Sequence, residues 1–193
     1  MSVTTATDKL MTAEEFLALP DDPNVERMLI SGRVYEVPMT RRSWFHSTVE
    51  SNVVDILKQW CRTRKSGGFR IASGEAGSFL RRKPDTIVGT DVAVFQQNAI
   101  PKLEDKTTLF TCAPLQAVEI LSPSDMLEHI QEKVSDYLTA GVPLVWIVDP
   151  HFRTVVVHRP DATPEMFSGD EDLIGDPHLP GLKVTVKDVF ADL

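Results

Sequence analysis

The sequence predicts an α/β layer protein in which helices flank a central mixed β-sheet. Three observations carry this. "PLVWIVDP" is apolar without alternation, the pattern of a strand covered on both faces. Two long segments, Ser43 to about Thr63 and Ser124 to Ala140, repeat apolar residues at three- and four-residue spacing, as helices with one buried face do. The order helix, strand, strand, strand, helix, strand is that of a layered α/β core.

A chain of 193 residues, 42% of them hydrophobic, can bury one core, so residues 11–193 are expected to form one domain behind a flexible tail at residues 1–10. No apolar run approaches the roughly 18 residues that cross a bilayer, and "MSVTTATDKLMTAEEF" lacks the layout of a secretory signal, so the cytoplasm is the expected location. Cys61 and Cys112 stand far apart without a CxxC or His pair and read as small buried hydrophobes. His129, His151, His158 and His178 show no metal-ligand spacing, which argues against zinc.

A net charge of −8 excludes a protein that coats nucleic acid by bulk electrostatics. The charge is uneven, however. Between Arg41 and Lys83, ten basic residues meet only three acidic ones. Arg41, Arg42, Arg81, Arg82 and Lys83 are therefore candidates for phosphate contact, and an ordinary solvated basic surface accounts for the same run.

In chain order, "MTAEEFLALPDD" reads as a short helix with Thr12 as N-cap, acids in its first turn and Pro20 closing it. "ERMLISGRVYEVP" reads as a hairpin around Ser31-Gly32. In the helix from Ser43, Val49, Val53, Ile56, Leu57 and Trp60 share a face, with His46 near it and Glu50 at its edge. After Gly67-Gly68 come strands "EAGSFLR" and "DVAVF", joined by the turn-rich "RKPDTIVGT", and then "AVEIL". The helix after it is expected to start with Ser124 as N-cap and to end at Gly141. "PLVWIVDP", "TVVVHRP" and "LKVTVKDVF" follow as strands, the last two separated by the acidic loop "SGDEDLIGDPH".

Chemistry enters through Glu119, a carboxylate inside an otherwise apolar strand. Burying it ionised costs several kcal/mol unless it is paired, hydrogen-bonded or bound to a metal. Asp91, at the start of "DVAVF", poses the same question. Each acid alone suits a turn cap or an arginine pair. If the two strands pair, both carboxylates converge on one hard cation such as magnesium or manganese.

On the following helix Met126, Leu127, Ile130, Val134, Tyr137 and Leu138 form the apolar stripe, with Asp125, Glu128, Glu132 and Asp136 opposite. Lys133, the helix's one cation, lies on the border. It either snorkels to water or reaches back to the carboxylates, where an ammonium positions a water or stabilises phosphoryl charge.

"TDVAVF", "AVEILSPSD", "EKVSDYLTAGVPLVWIVDP" and "RTVVVHRP", together with "MTAEEFLALPDD" and "FHSTVESNVVDIL", resemble the Uma family of endonucleases, once catalogued as a domain of unknown function, within the restriction-endonuclease-like PD-(D/E)XK superfamily. The likeness runs from about Met11 to Phe190. It implies a restriction-endonuclease-like core and a magnesium-dependent site that hydrolyses phosphodiester bonds of nucleic acid, DNA first. Asp91 and Glu119 would bind the metal, Lys133 would take the lysine role, and the chain would form a homodimer. The resemblance includes a histidine at His46. Glu50, like first-helix acids of the superfamily, is an auxiliary candidate, as are Glu26 and Glu75, which ion pairs explain equally well. Two positions depart from the superfamily pattern: Thr90 replaces the proline before the aspartate, and Leu121 occupies the usual lysine position.

Lys83-Pro84-Asp85 spells the literal Pro-Asp, yet Asp85 sits in a turn-rich connector and is set aside. Ser122 lacks the GxSxG elbow of a nucleophilic serine. The competing reading is a non-catalytic dimeric module that keeps the fold for nucleic-acid or protein binding.

Overall fold

A computed structural model describes residues 4–5, 9–39, 42–64, 68–97, 109–123 and 125–193. Most of the expected tail, Arg41, Gly67 and the N-cap assigned to Ser124 lie outside them. The elements in order are β1 (Thr4–Thr5), α1 (Ala13–Leu17), β2 (Val25–Ile30), β3 (Arg33–Pro38), α2 (Trp44–Arg62), β4 (Phe69–Ser73), β5 (Ser78–Arg81), β6 (Thr86–Val88), β7 (Val92–Gln96), β8 (Gln116–Ile120), α3 (Leu127–Thr139), β9 (Val145–Asp149), β10 (Thr154–His158), β11 (Glu165–Ser168), β12 (Asp172–Ile174), β13 (Lys183–Thr185) and α4 (Val186–Val189). No described helix is long and apolar enough to cross a membrane.

The central sheet runs β11-β10-β9-β8-β7-β4 and is mixed: β8 and β9 are parallel, and the other neighbours antiparallel. A parallel pair needs a crossover, and α3 supplies it. Strand alternation then divides the core. Val118 and Ile120 of β8, with Trp146 and Val148 of β9, pack on one face with Val49, Val53, Leu57 and Trp60 of α2. Ala117, Val145 and Ile147 pack on the other with Val134 and Tyr137 of α3.

A second sheet, β1-β3-β2-β6-β5, carries the hairpin, in which Ser31 and Gly32 both take positive φ (50° and 78°) as a tight turn requires. Thr12 and Glu15 close a capping box at α1, and the Ala13 amide donates to Asp85 Oδ2 at 2.7 Å. Asp85, buried in its turn, thus ties α1 to the β5–β6 connection.

Several expectations change. "RKPDTIVGT" is more than a connector, because Thr86–Val88 pairs with both β2 and β5. β4 was not foreseen, and "LKVTVKDVF" divides into β13 and the short α4, where Thr185 and Asp188 form a capping box that ends the strand. The acidic loop contains β12. α3 starts at Leu127 with Met126 in the N-cap position and no side-chain cap. Met126 and Leu127, assigned to the buried stripe, are exposed because they precede the part of α3 that lies on the sheet.

Candidate active site

β7 and β8 pair with Val92 opposite Val118, which sets Asp91, one residue before β7, beside the level of Glu119. Glu119 shares the parity of Ala117 and so faces α3. There Lys133 Nζ stands 2.6 Å from Glu119 Oε2, and Tyr137 Oη donates to Glu119 Oε1 at 2.5 Å. Lys133 and Tyr137 are four apart, one turn of helix, and therefore meet the same carboxylate. Thr90 Oγ1 lies 2.7 Å from Tyr137 Oη. Since the phenol's proton goes to Glu119, the threonine hydroxyl donates in that contact.

Asp91 is held separately. Its Oδ2 accepts from the Ile120 amide at 2.8 Å, and its Oδ1 lies 3.3 Å from His46 Nε2 and 3.7 Å from Arg42 Nη2. His46 is fully buried on α2, and neither ring nitrogen has an aligned hydrogen-bond partner; Nδ1 lies 3.9 Å from Glu50 Oε2. Arg42 also pairs with Glu75 and approaches Glu26 Oε2 at 3.8 Å.

A cleft opens over these groups. The β2–β3 hairpin forms one wall with Glu26, Met28, Ile30, Tyr35 and Val37, and the start of α3 forms the other with Met126, His129 and Ile130. Asp91, Glu119, Glu75, Arg42 and Lys133 line its floor and sides. Glu75 takes φ 57°, a left-handed conformation uncommon outside glycine, directly after Gly74. Its Oε2 is buried without a hydrogen-bond partner. It rests against Gly89, where an added Cβ would lie 2.6 Å from that oxygen.

Burial pushes the Glu119 carboxyl up to about 7, with the Lys133 charge pulling the other way and the Asp91 charge adding to the rise. Asp91 behaves oppositely. Burial raises it, but the contact with His46, the Lys133 charge and the Ile120 amide together hold it below the ordinary carboxylate range. Burial depresses Lys133, and the charges of Glu119 and Asp91 outweigh that and raise it. Two acids in one site with pKa values driven apart are suited to different tasks.

The sequence candidates thus divide. Asp91, Glu119, Lys133, Glu26, Glu75 and Arg42 line one cleft, with His46 behind Asp91 and Glu50 behind His46. Arg42 is an internal counter-charge as well as a member of the basic run. Arg81, Arg82 and Lys83 are not among the cleft's lining residues: Arg81 lies 3.4 Å from Asp136 and 2.8 Å from Ser31 Oγ, and Arg82 bonds Glu14 and Asp85. Sequence reasoning missed Tyr137 and Thr90. Tyrosine within an apolar helical stripe was the available signal, since a buried phenol needs a polar partner.

Among the described residues, no group of three or more His, Cys, Asp or Glu side chains is gathered to hold an ion as it stands. The chemistry of the cleft nevertheless fits a hard cation. Glu26, Glu75, Asp91, Glu119, Asp125 and Glu132 line it against one arginine and one lysine, and one oxygen of Glu75 is buried without a partner. Oxygen donors in excess of positive charge suit magnesium or manganese and not a thiolate-seeking metal.

A mixed sheet between helices, with an acid-lined cleft at the end of paired strands, defines an α/β layer protein with one candidate active site. Residues 13–187 match the Uma2 family, described as "Putative restriction endonuclease", and the chain belongs to that family. A crystal structure from Anabaena variabilis ATCC 29413, described as a "putative nuclease belonging to DUF820", is similar at 26% sequence identity and TM-score 0.78, covering 93% of this chain and 97% of the other. No curated protein matches the chain.

Proposed function

We propose that this chain is a divalent-metal-dependent nuclease that hydrolyses phosphodiester bonds of nucleic acid, DNA first, in the cleft above Asp91 and Glu119. The observation that carries this is the 2.6 Å contact of Lys133 with Glu119 on the sheet face that the strand register also gives to Asp91. Asp91 and Glu119 are the residues to hold magnesium or manganese. Such an ion supplies Lewis-acid polarisation of the scissile phosphate and a lowered pKa for water.

The chain's own groups do the rest. Lys133 orients the attacking water or neutralises charge that develops on the phosphoryl oxygens. Tyr137, backed by Thr90, fixes the Glu119 carboxylate, and the Ile120 amide with His46 fixes Asp91. The lysine arrives from α3 because Leu121, two residues after Glu119, is apolar. The homodimer belongs to the same proposal, supported by the resemblance, and light scattering measures it.

One observation favours the binding-module reading: Glu119 is already satisfied by Lys133 and Tyr137, and Asp91 Oδ2 by a backbone amide. Cleavage of plasmid and oligonucleotide substrates in magnesium or manganese separates the two. A nuclease cleaves only with metal and loses activity in Lys133→Ala. A module cleaves nothing and binds its partner equally well in Asp91→Ala and Glu119→Ala.

A further inference from the structure

Asp91 has one oxygen to offer a cation. Its Oδ2 accepts from the Ile120 amide at 2.8 Å, and both oxygens of Glu119 are engaged by Lys133 and Tyr137. The oxygen left is Oδ1. Arg42 Nη2 faces it at 3.7 Å, and the unpartnered Nε2 of the wholly buried His46 faces it at 3.3 Å. The same Nη2 touches Glu75 Oε1 and lies 3.8 Å from Glu26 Oε2. Carboxylates from β2, from the loop after β4 and from the residue before β7 thus surround a single nitrogen of one side chain. The Arg42 guanidinium occupies the place that these oxygens would otherwise give a hard cation.

That contact has the form of an exchangeable one. An arginine kept as a permanent counter-ion commonly meets carboxylates with both arms of its fork. Here all three contacts fall on one terminal nitrogen, and 40% of the side chain is open to solvent. Three carboxylates against one guanidinium leave the spot under-neutralised, so a divalent ion competes for it. Glu75 has a further oxygen for such an ion, since its Oε2 is buried without a partner. A phosphate meets the opposite difficulty. Six carboxylates line the cleft against one arginine and one lysine, and those acids hold both. An anionic strand needs positive charge released to it.

We propose that Arg42 is an exchangeable cation: it bridges Glu26, Glu75 and Asp91 until a divalent ion binds there, and it then turns to a phosphate of the nucleic-acid strand. This rests on the metal and nucleic-acid ligands of the nuclease reading and adds a coupling between them. By linkage, each ligand tightens the other by the same factor.

The test is fluorescence anisotropy at low salt with a labelled, phosphorothioate-linked DNA duplex, with and without magnesium. Arg42→Ala binds this probe as wild type does without magnesium and about tenfold more weakly with it, the loss of one charge-assisted contact. Glu75→Gln loosens Arg42 from its partner, so without magnesium it binds the probe about threefold more tightly than wild type. Adding Arg42→Ala to Glu75→Gln removes that gain. Circular dichroism verifies that each variant folds, and the double variant, which lacks both charges of the pair, serves where Arg42→Ala alone does not fold. An equal loss in Arg42→Ala with and without magnesium would make Arg42 a fixed phosphate contact, and no loss in either would make it a counter-charge only; each result overturns the proposal. Cleavage of the unmodified duplex by wild type reads the nuclease assignment separately. A magnesium-dependent contribution of Arg42 without cleavage would defeat the nuclease reading alone, and cleavage together with either overturning result would defeat the exchange alone.

Discussion

Lys133 Nζ stands 2.6 Å from Glu119 Oε2 across the gap between α3 and β8, with most of both side chains removed from solvent. The pair is the electrostatic centre of the cleft: burial raises the Glu119 carboxyl against the pull of the Lys133 charge, and the Glu119 charge helps raise Lys133 against its own burial. Replacing Lys133 by Met leaves a buried carboxyl beside Asp91 without its counter-charge. Above neutral pH this is expected to lower stability by about 3 kcal/mol, and less in mild acid where Glu119 is protonated. Urea unfolding at both pH values checks it, and nuclease activity is expected to vanish.

Tyr137→Phe removes the hydroxyl shared by Glu119 and Thr90 while keeping the ring in its pocket. The two partners left behind are buried, so a loss of about 1–3 kcal/mol is expected by chemical denaturation. Thr90→Val, which removes only the outer donor, should cost less.

The pH dependence has a definite sign. The Glu119 carboxyl, raised from 4.5 to about 7, keeps its proton in the folded chain over a range where the unfolded chain has lost it. Its contribution is fully present below pH 4.5 and is lost as pH rises through about 7, so stability falls across that window. Asp91, held low, contributes the reverse: stability present above its unfolded value of 3.8 and lost in stronger acid. Unfolding measured at several pH values should show a flatter profile near neutrality in Glu119→Gln. Metal affinity should rise through the same window as Glu119 ionises.

Arg42 stands among Glu26, Glu75 and Asp91, where positive charge repels an incoming cation. Arg42→Ala is expected to bind manganese roughly tenfold more tightly, the effect of about 1.4 kcal/mol of relieved repulsion. Isothermal titration calorimetry measures it. The metal-free variant should be less stable than wild type, because the three acids then face one another unscreened.

Gly89→Ala places a Cβ 2.6 Å from Glu75 Oε2 and 3.2 Å from its Cβ. Glu75 must move, at a cost of about 1–3 kcal/mol in thermal unfolding.

What the sequence disclosed and what it hid follow from the range of the interactions. The α2 face, the Ser31-Gly32 turn and the apolar β9 strand are local patterns and could be read directly. Glu119 stood out because a carboxylate in an apolar strand needs a partner wherever the chain goes. β6 escaped because three residues after a Pro-Asp turn carry little periodicity, and α4 because the capping box at Thr185 ends the expected strand after Lys183–Thr185. Tyr137 read as stripe because its hydroxyl's partners lie 18 and 47 residues away. Arg42 read as part of a basic run because linear charge says nothing of the acids that fold around it.

The most direct measurement is a crystal soaked in manganese, with anomalous density mapped over the whole chain. The account predicts a peak contacting both Asp91 and Glu119, with Lys133 still facing the latter. No peak there, with Glu119 still bonded to Tyr137 and Lys133 at saturating manganese, would contradict it.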